Sequence, residues 1–359
     1  MSAFLQGLWL VVTLDLRQRV RTVAWYVLLG VFVALVAGVT VLLVLATDAM
    51  FEGGGGVFSS IVFFVLLLGT LVSPALSANA INGERDAGTL ATTQVTLLTT
   101  TQIVLGKWIA AWITALAFLA AALPFLVFAV TLGEVPVSTI LVSTLVTAVE
   151  LGVVAAIGVG LSGLLNRPLF SVAVTYLVIA ALSVGTLIAF GLGGASAQSE
   201  VRATNTYVDW AAVERDGVPP GADAPCLPPE TWTYEVPRFD HVWGVLAANP
   251  YVVVADAAPP VFDRNGTPTD LFTWIAVGVR QAQHAPELEE VFDECAGWTP
   301  SGAIVPDRAE TPEELHRRSV PSWFVGLGIH VLLATGALAW AVRRTATPAT
   351  RLPRGSRIA

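Results

Sequence analysis

Residues 79–107, NAINGERDAGTLATTQVTLLTTTQIVLGK, form a polar connector between two apolar runs, each long enough to cross a bilayer. The connector opens on a charged cluster, Glu84, Arg85 and Asp86, and continues through Gly88, Thr89 and Leu90. Near its end Thr99-x-x-Gln102 predicts a helix start, with the Thr side chain capping a backbone N–H and the Gln reaching back. Lys107, the only lysine in the chain, stands where the next apolar run begins.

Outward from this connector the chain stays apolar. It is 55% hydrophobic and 13% charged, with a mean hydropathy of +0.71, whereas soluble domains carry about 25% charged residues. Six runs are long enough for the ~30 Å hydrocarbon layer: Val23–Ala46, Val57–Ala80, Trp108–Leu132, Val137–Leu165, Leu169–Gly194 and Ser322–Val342. The fold class expected is therefore an all-α polytopic membrane protein. The first run is long and lacks a small-x-small cleavage site, so it reads as an anchor and not a signal peptide.

Basic residues set the expected orientation. Arg17, Arg19 and Arg21 precede the first span, Arg85 and Lys107 flank the connector, Arg167 lies between spans four and five, and five arginines follow the last span. These eleven fall on one side if the spans alternate, while residues 47–56 and 133–136 on the other side hold no Lys or Arg. Both termini are expected to be cytoplasmic. Residues 195–321 then form one large extracytoplasmic insert, whose fold the sequence leaves unassigned. It holds 20 of the 27 acidic residues and eight arginines, a net −12 against +4 elsewhere.

Both cysteines, Cys226 and Cys295, lie in the insert. An oxidising exterior favours a disulfide between them, two unpaired thiols being the alternative. Five tryptophans suit a folded unit or one resting on the membrane surface. Within it, residues 270–283 look helical, with Leu271, Trp274, Ile275 and Val279 on one face, and 242–258 form an apolar stretch broken at Asn249-Pro250. Thr311–Glu314 reads as a helix start leading into span six.

Residues 4–22 predict an interfacial helix, with Leu5, Leu8, Trp9, Val12, Leu16 and Val20 on one arc. Trp9, Arg17, Arg19, Arg21 and Lys107 are the residues expected at the lipid interface. Pro74 and Pro124 predict kinks in spans two and three. Glu150, near the middle of span four, costs at least ~2.5 kcal/mol to insert and should face protein or water. Two readings stand for it: contact with a polar substrate or protons, or a protonated carboxyl bonded to a neighbouring Ser or Thr. His330 reads as a packed polar residue. Gly152, Gly158, Gly160, Ser162 and Gly163 suit close helix contact.

The connector resembles that of ABC-2 type exporter permeases. In that family the second membrane helix ends in a GER-x-x-GTL phrase, and a short helix leads to an IVLGK phrase entering the third. Both phrases stand here, as Gly83-Glu84-Arg85 with Gly88-Thr89-Leu90, and as residues 103–107. The family often has acidic residues after the Leu, where this chain has Ala91, Thr92 and Thr93. Residues 162–176 likewise resemble the family's turn between spans four and five, and residues 1–22 stand where it carries an elbow helix. The resemblance implies a connector docked on separate cytoplasmic ATPase subunits, through Glu84, Arg85, Gly88, Thr89, Leu90, Val95 and Leu97, with a second contact around Asn166 and Arg167. It also implies a homodimer or heterodimer of permeases in a bacterial cell membrane, with ATP and magnesium on the partner and no cofactor on this chain.

The sequence contains no phosphate-binding loop, nucleophile elbow or metal-spaced cluster. An enzyme is not expected, nor a nucleic-acid partner, since the basic tail at 343–359 suits anionic lipids. An alternative function is a membrane-anchored sensor or scaffold whose acidic insert binds a ligand. A secondary transporter would want paired repeats and several intramembrane charges, and the sequence offers one Glu and no repeat.

Overall fold

The computed structural model describes residues 2–50, 54–88, 98–217, 225–295 and 310–346. Six of its helices are long and apolar enough to cross a membrane. In chain order, α1 (Ala3–Val20) leads into span one, α2 (Val23–Met50), and span two, α3 (Gly54–Ser77). A short α4 (Asn82–Asp86) follows, then span three, α5 (Thr100–Thr131), and span four, α6 (Val137–Leu164). Span five consists of α7 (Pro168–Ala180) and α8 (Thr186–Ser196), joined by a π-helical turn at Ala181–Gly185. The insert contains β1 (Gln198–Thr206), α9 (Trp210–Asp216), β2 (Glu230–Pro237), α10 (Pro250–Ala257), α11 (Leu271–Gln281), β3 (Glu289–Asp293) and α12 (Pro312–Arg318). Span six is α13 (Trp323–Thr345).

These segments are helical because an apolar run in hydrocarbon must satisfy every backbone group within itself. Where the ladder is interrupted, another element supplies a partner. Pro74 removes the donor to Thr70 O in span two, and the Tyr176 hydroxyl of span five donates to the adjacent carbonyl, Leu71 O, at 2.7 Å. At the π turn the Asn249 amide donates to Ser183 O at 2.7 Å and to Thr186 Oγ1 at 2.9 Å. Asn249 also caps α10. One side chain thus closes a gap in span five and starts a helix of the insert.

Span four is the hub. A Cβ on Gly160 would meet Ala337 at 2.5 Å, and one on Gly163 would meet Ala341 at 2.6 Å, so span six can lie against it only because these positions are bare. At one end of the bundle Ile81, Val104, Ala156, Ala334 and Ala341 share a core. At the other end Phe58, Ile61, Leu66 and Phe118 share a core with Val253 and Phe272 of the insert. Phe272 lies 5.1 Å from Phe63 and 6.4 Å from Phe58, ring to ring.

Part of the insert therefore belongs to the membrane bundle. Its remainder is a three-stranded sheet ordered β2-β1-β3, so the described chain is mostly but not wholly helical. β1 pairs antiparallel with β2, from Gln198↔Pro237 to Asn205↔Glu230, and parallel with β3, from Arg202↔Glu289 to Thr206↔Asp293. Cys226 and Cys295 are joined in a disulfide beside this sheet. The face expected for α11 is corrected at one residue: Val279 is buried and Leu271 and Ile275 pack on the core, beside the buried Phe272, Thr273, Ala276 and Arg280, while Trp274 is 48% exposed. Insertion of Phe272 against Phe58 and Phe63 sets the rotation of the helix, and the Trp is turned out.

Asp256 fixes the insert to span six. Its carboxylate accepts from Arg280 Nε at 2.7 Å, from the backbone N–H of Ser322 at 2.5 Å and from that of Trp323 at 3.0 Å. A carboxylate at the first turn of α13 offsets both the orphan donors and the positive helix end.

Candidate functional site

The connector closes in stages. Helix α3 ends at Ser77, and Ser162 of span four then accepts from the backbone N–H groups of Ile81 and Asn82, both at 3.0 Å. These donors open α4, whose own cap position carries no side-chain bond. Span four thus caps the helix of the connector, a role for Ser162 that no local pattern announces.

Arg85 reaches from α4 to the C-terminal end of span four, where helix carbonyls lack partners. It donates to Leu165 O at 3.1 Å, Gly163 O at 3.4 Å, Asn166 Oδ1 at 3.4 Å and Asn82 Oδ1 at 3.1 Å. Arg85 and Asn166, expected in two separate cytoplasmic contacts, are therefore parts of one clamp. Arg167 is exposed beside it and precedes Pro168, the first residue of α7.

Glu84 faces the other way, accepting from Lys107 Nζ at 2.6 Å. Lys107 also lies 3.6 Å from Asp15 of α1, and Asp15 pairs with Arg19 at 2.9 Å. Two cations and two carboxylates thus join α1, α4 and α5 in a neutral cluster. The expectation that Lys107 meets lipid is corrected: it is 4% exposed, because a buried ammonium is stable only when paired. Trp9, Arg17 and Arg21 are exposed, while Arg19 is partly buried on Asp15.

Helix α1 packs along α5. A Cβ on Gly106 would meet Val11 at 2.7 Å, and Gln102 Nε2 donates to Phe4 O at 2.9 Å. Val11 and Val12 are buried, so the expected arc is corrected: Val12 faces protein, while Leu5, Trp9 and Val20 remain exposed. Thr99 and Gln102 form the capping box, and residues 103–107 lie within the first turns of α5 instead of preceding it. Gly88 has φ +72°, the left-handed conformation that favours glycine at a chain break. Thr89, Leu90, Val95 and Leu97 lie outside the described residues.

Glu150, 1% exposed, is held by His330 of span six, whose Nδ1 lies 2.9 Å from both carboxylate oxygens. The other ring nitrogen, Nε2, lies 2.9 Å from Ala248 O in the insert. The partner is neither Ser nor Thr, and His330 is more than a packed polar residue. The pair links span four, span six and the insert at one point. Among the described residues no group of three His, Cys, Asp or Glu side chains is arranged to hold a metal.

Neither a protein-family model nor a curated protein matches this chain.

Proposed function

We propose that this chain is the permease subunit of an ATP-driven exporter of the ABC-2 type, coupled through residues 79–107 to a separate cytoplasmic ATPase. The observation that carries the reading is the double anchorage of α4. Glu84 is tied to span three and α1 through Lys107, and Arg85 to the end of span four. A push on a connector held this way moves three elements together, whereas a loosely tethered loop would absorb it. The GER-x-x-GTL and IVLGK phrases support the family reading, and six helices long enough to span, with the Lys and Arg bias of the segments between them, support the topology.

In this reading the connector faces the cytoplasm, two permeases assemble with two ATPases, and ATP-driven closure shifts the bundle between conformations. The connector docks in a groove of the ATPase, and Glu84 and Arg85 anchor it to the bundle. The insert lies outside the cell.

The test is a search for an adjoining reading frame that carries phosphate-loop and LSGGQ signatures, followed by co-purification with its ATPase product. Substitution of Leu90 by Asp is expected to abolish assembly. Arg85→Ala is expected to retain assembly and lose the stimulation of ATP turnover by the permease. Unchanged assembly and turnover in both variants would remove the coupling role.

A further inference from the structure

We infer that the groove between spans three, four and six holds one acyl chain of an anionic phospholipid, with the phosphate at Arg343. The inference does not depend on an ATPase partner.

The groove has a volume of about 680 Å³, within the roughly 300–1,000 Å³ usual for small-molecule sites. Trp108 and Trp112 form one wall, their rings 5.8 Å apart and 7° from parallel. Leu338 and Val331 of span six form the other, over Val153 of span four. Apart from Thr101 in the first turn of α5, the neutral side-chain donors on these walls are already used. Trp108 Nε1 donates to Gly152 O at 2.9 Å, Trp112 Nε1 to Ala148 O at 2.8 Å, and Thr335 Oγ1 to Val331 O at 2.8 Å. Along its depth the groove therefore rewards an apolar occupant and offers a polar one little.

Its depth and its charge select the occupant. From Val331 to Arg343 the helix rises about 18 Å, close to one leaflet of the ~30 Å hydrocarbon layer. Arg343 lies at the mouth, is exposed, and has no carboxylate partner among the described residues. Arg344 follows it, and both arginines line a second hollow that shares Ala339 and Arg343 with the groove. No Asp or Glu lines either hollow. An apolar slot one leaflet deep, with cations at headgroup level, matches a chain and its phosphate.

The experiment uses the full-length protein in phosphatidylcholine vesicles containing a trace of phosphatidylglycerol with a photoactivatable acyl chain. A second sample carries the same label on phosphatidylcholine. The expected result is crosslinking within the peptides around Trp108–Trp112 and Leu338, favouring phosphatidylglycerol. Arg343→Ala should lower that preference roughly fivefold, the contribution of one basic side chain near an anionic surface. Ala339→Trp, at an exposed position lining the groove, should remove the crosslink while leaving the melting temperature unchanged. Arg215→Ala, exposed in α9 of the insert, should change nothing. Equal labelling by the two lipids, labelling that survives Ala339→Trp, an equal loss in Arg215→Ala, or capture of a second copy of the chain at these residues would each overturn the inference.

Discussion

Glu150 and His330 show how an ionisable side chain is accommodated inside the bundle. Ala248 O requires a proton on His330 Nε2, because a carbonyl oxygen only accepts. The contact between Nδ1 and the carboxylate then holds one further proton. Whether that proton resides on nitrogen or oxygen, the pair is neutral overall, and the cost of burying a lone carboxylate is avoided. Removing the His exposes that cost: His330→Leu is expected to destabilise the protein by about 3–5 kcal/mol. Glu150→Leu with His330→Leu should recover part of the loss, a coupling of roughly 1–3 kcal/mol in a double-mutant cycle of thermal melts in detergent. Additive losses would contradict the pairing. The need for a partner was legible in the sequence from one carboxylate in an apolar run. The partner was not legible, since it lies 180 residues away and a single His in an apolar run carries no pairing signal.

Among the elements, span four depends on bare backbone where span six crosses it. Gly160→Leu and Gly163→Val are each expected to cost about 1–3 kcal/mol, with side chains forced into Ala337 and Ala341. Gly30→Ala, in span one, where an added Cβ meets nothing within 4 Å, serves as the neutral control for the melting temperature. Helix α12 carries a pH dependence. Burial, and then the charge of Arg280, lower the pKa of His316 to about 4, while Asp256 acts in the opposite direction. Unfolded, the same imidazole takes up its proton near 6.5. Stability from this residue is therefore complete above pH ~6.5 and is lost as the pH falls toward 4. The loss is roughly 1–2 kcal/mol, discounted from ~1.4 kcal/mol per pH unit for partial solvation. The melting temperature at pH 7 and at 4.5 measures it, and His316→Phe should flatten the difference. Starts of helices were legible: Thr99 with Gln102 and Thr311 with Glu314 both form capping boxes. Such signals are local. The π turn of span five and the rotation of α11 are set by Asn249 and Phe272 from distant elements, and no periodicity in either helix encodes them.

At the scale of the whole molecule, one end of the bundle is tied together by charge and the other by packing. At the connector end Asp15, Arg19, Glu84, Lys107 and Arg85 join α1, α4, α5 and the end of α6. At the far end aromatic side chains and Asp256 fuse the insert to the bundle. Spans four and six, which His330 and Glu150 bind together, connect the charged end to the insert. The six crossings were legible because hydrocarbon thickness imposes a run length on sequence. Arg85 and Lys107 were recognised as belonging to the connector, but their inward orientation was not, because each partner comes from another helix. The chain has only two cysteines, both in the disulfide, so a cysteine introduced at position 90 is its sole free thiol. The most direct measurement is labelling of Leu90→Cys by a membrane-impermeant maleimide, in right-side-out and inverted vesicles, with and without the ATPase. The account predicts labelling in inverted vesicles only, and protection when the ATPase is bound. Labelling from the outer face, or a thiol equally reactive with and without the ATPase, would contradict it.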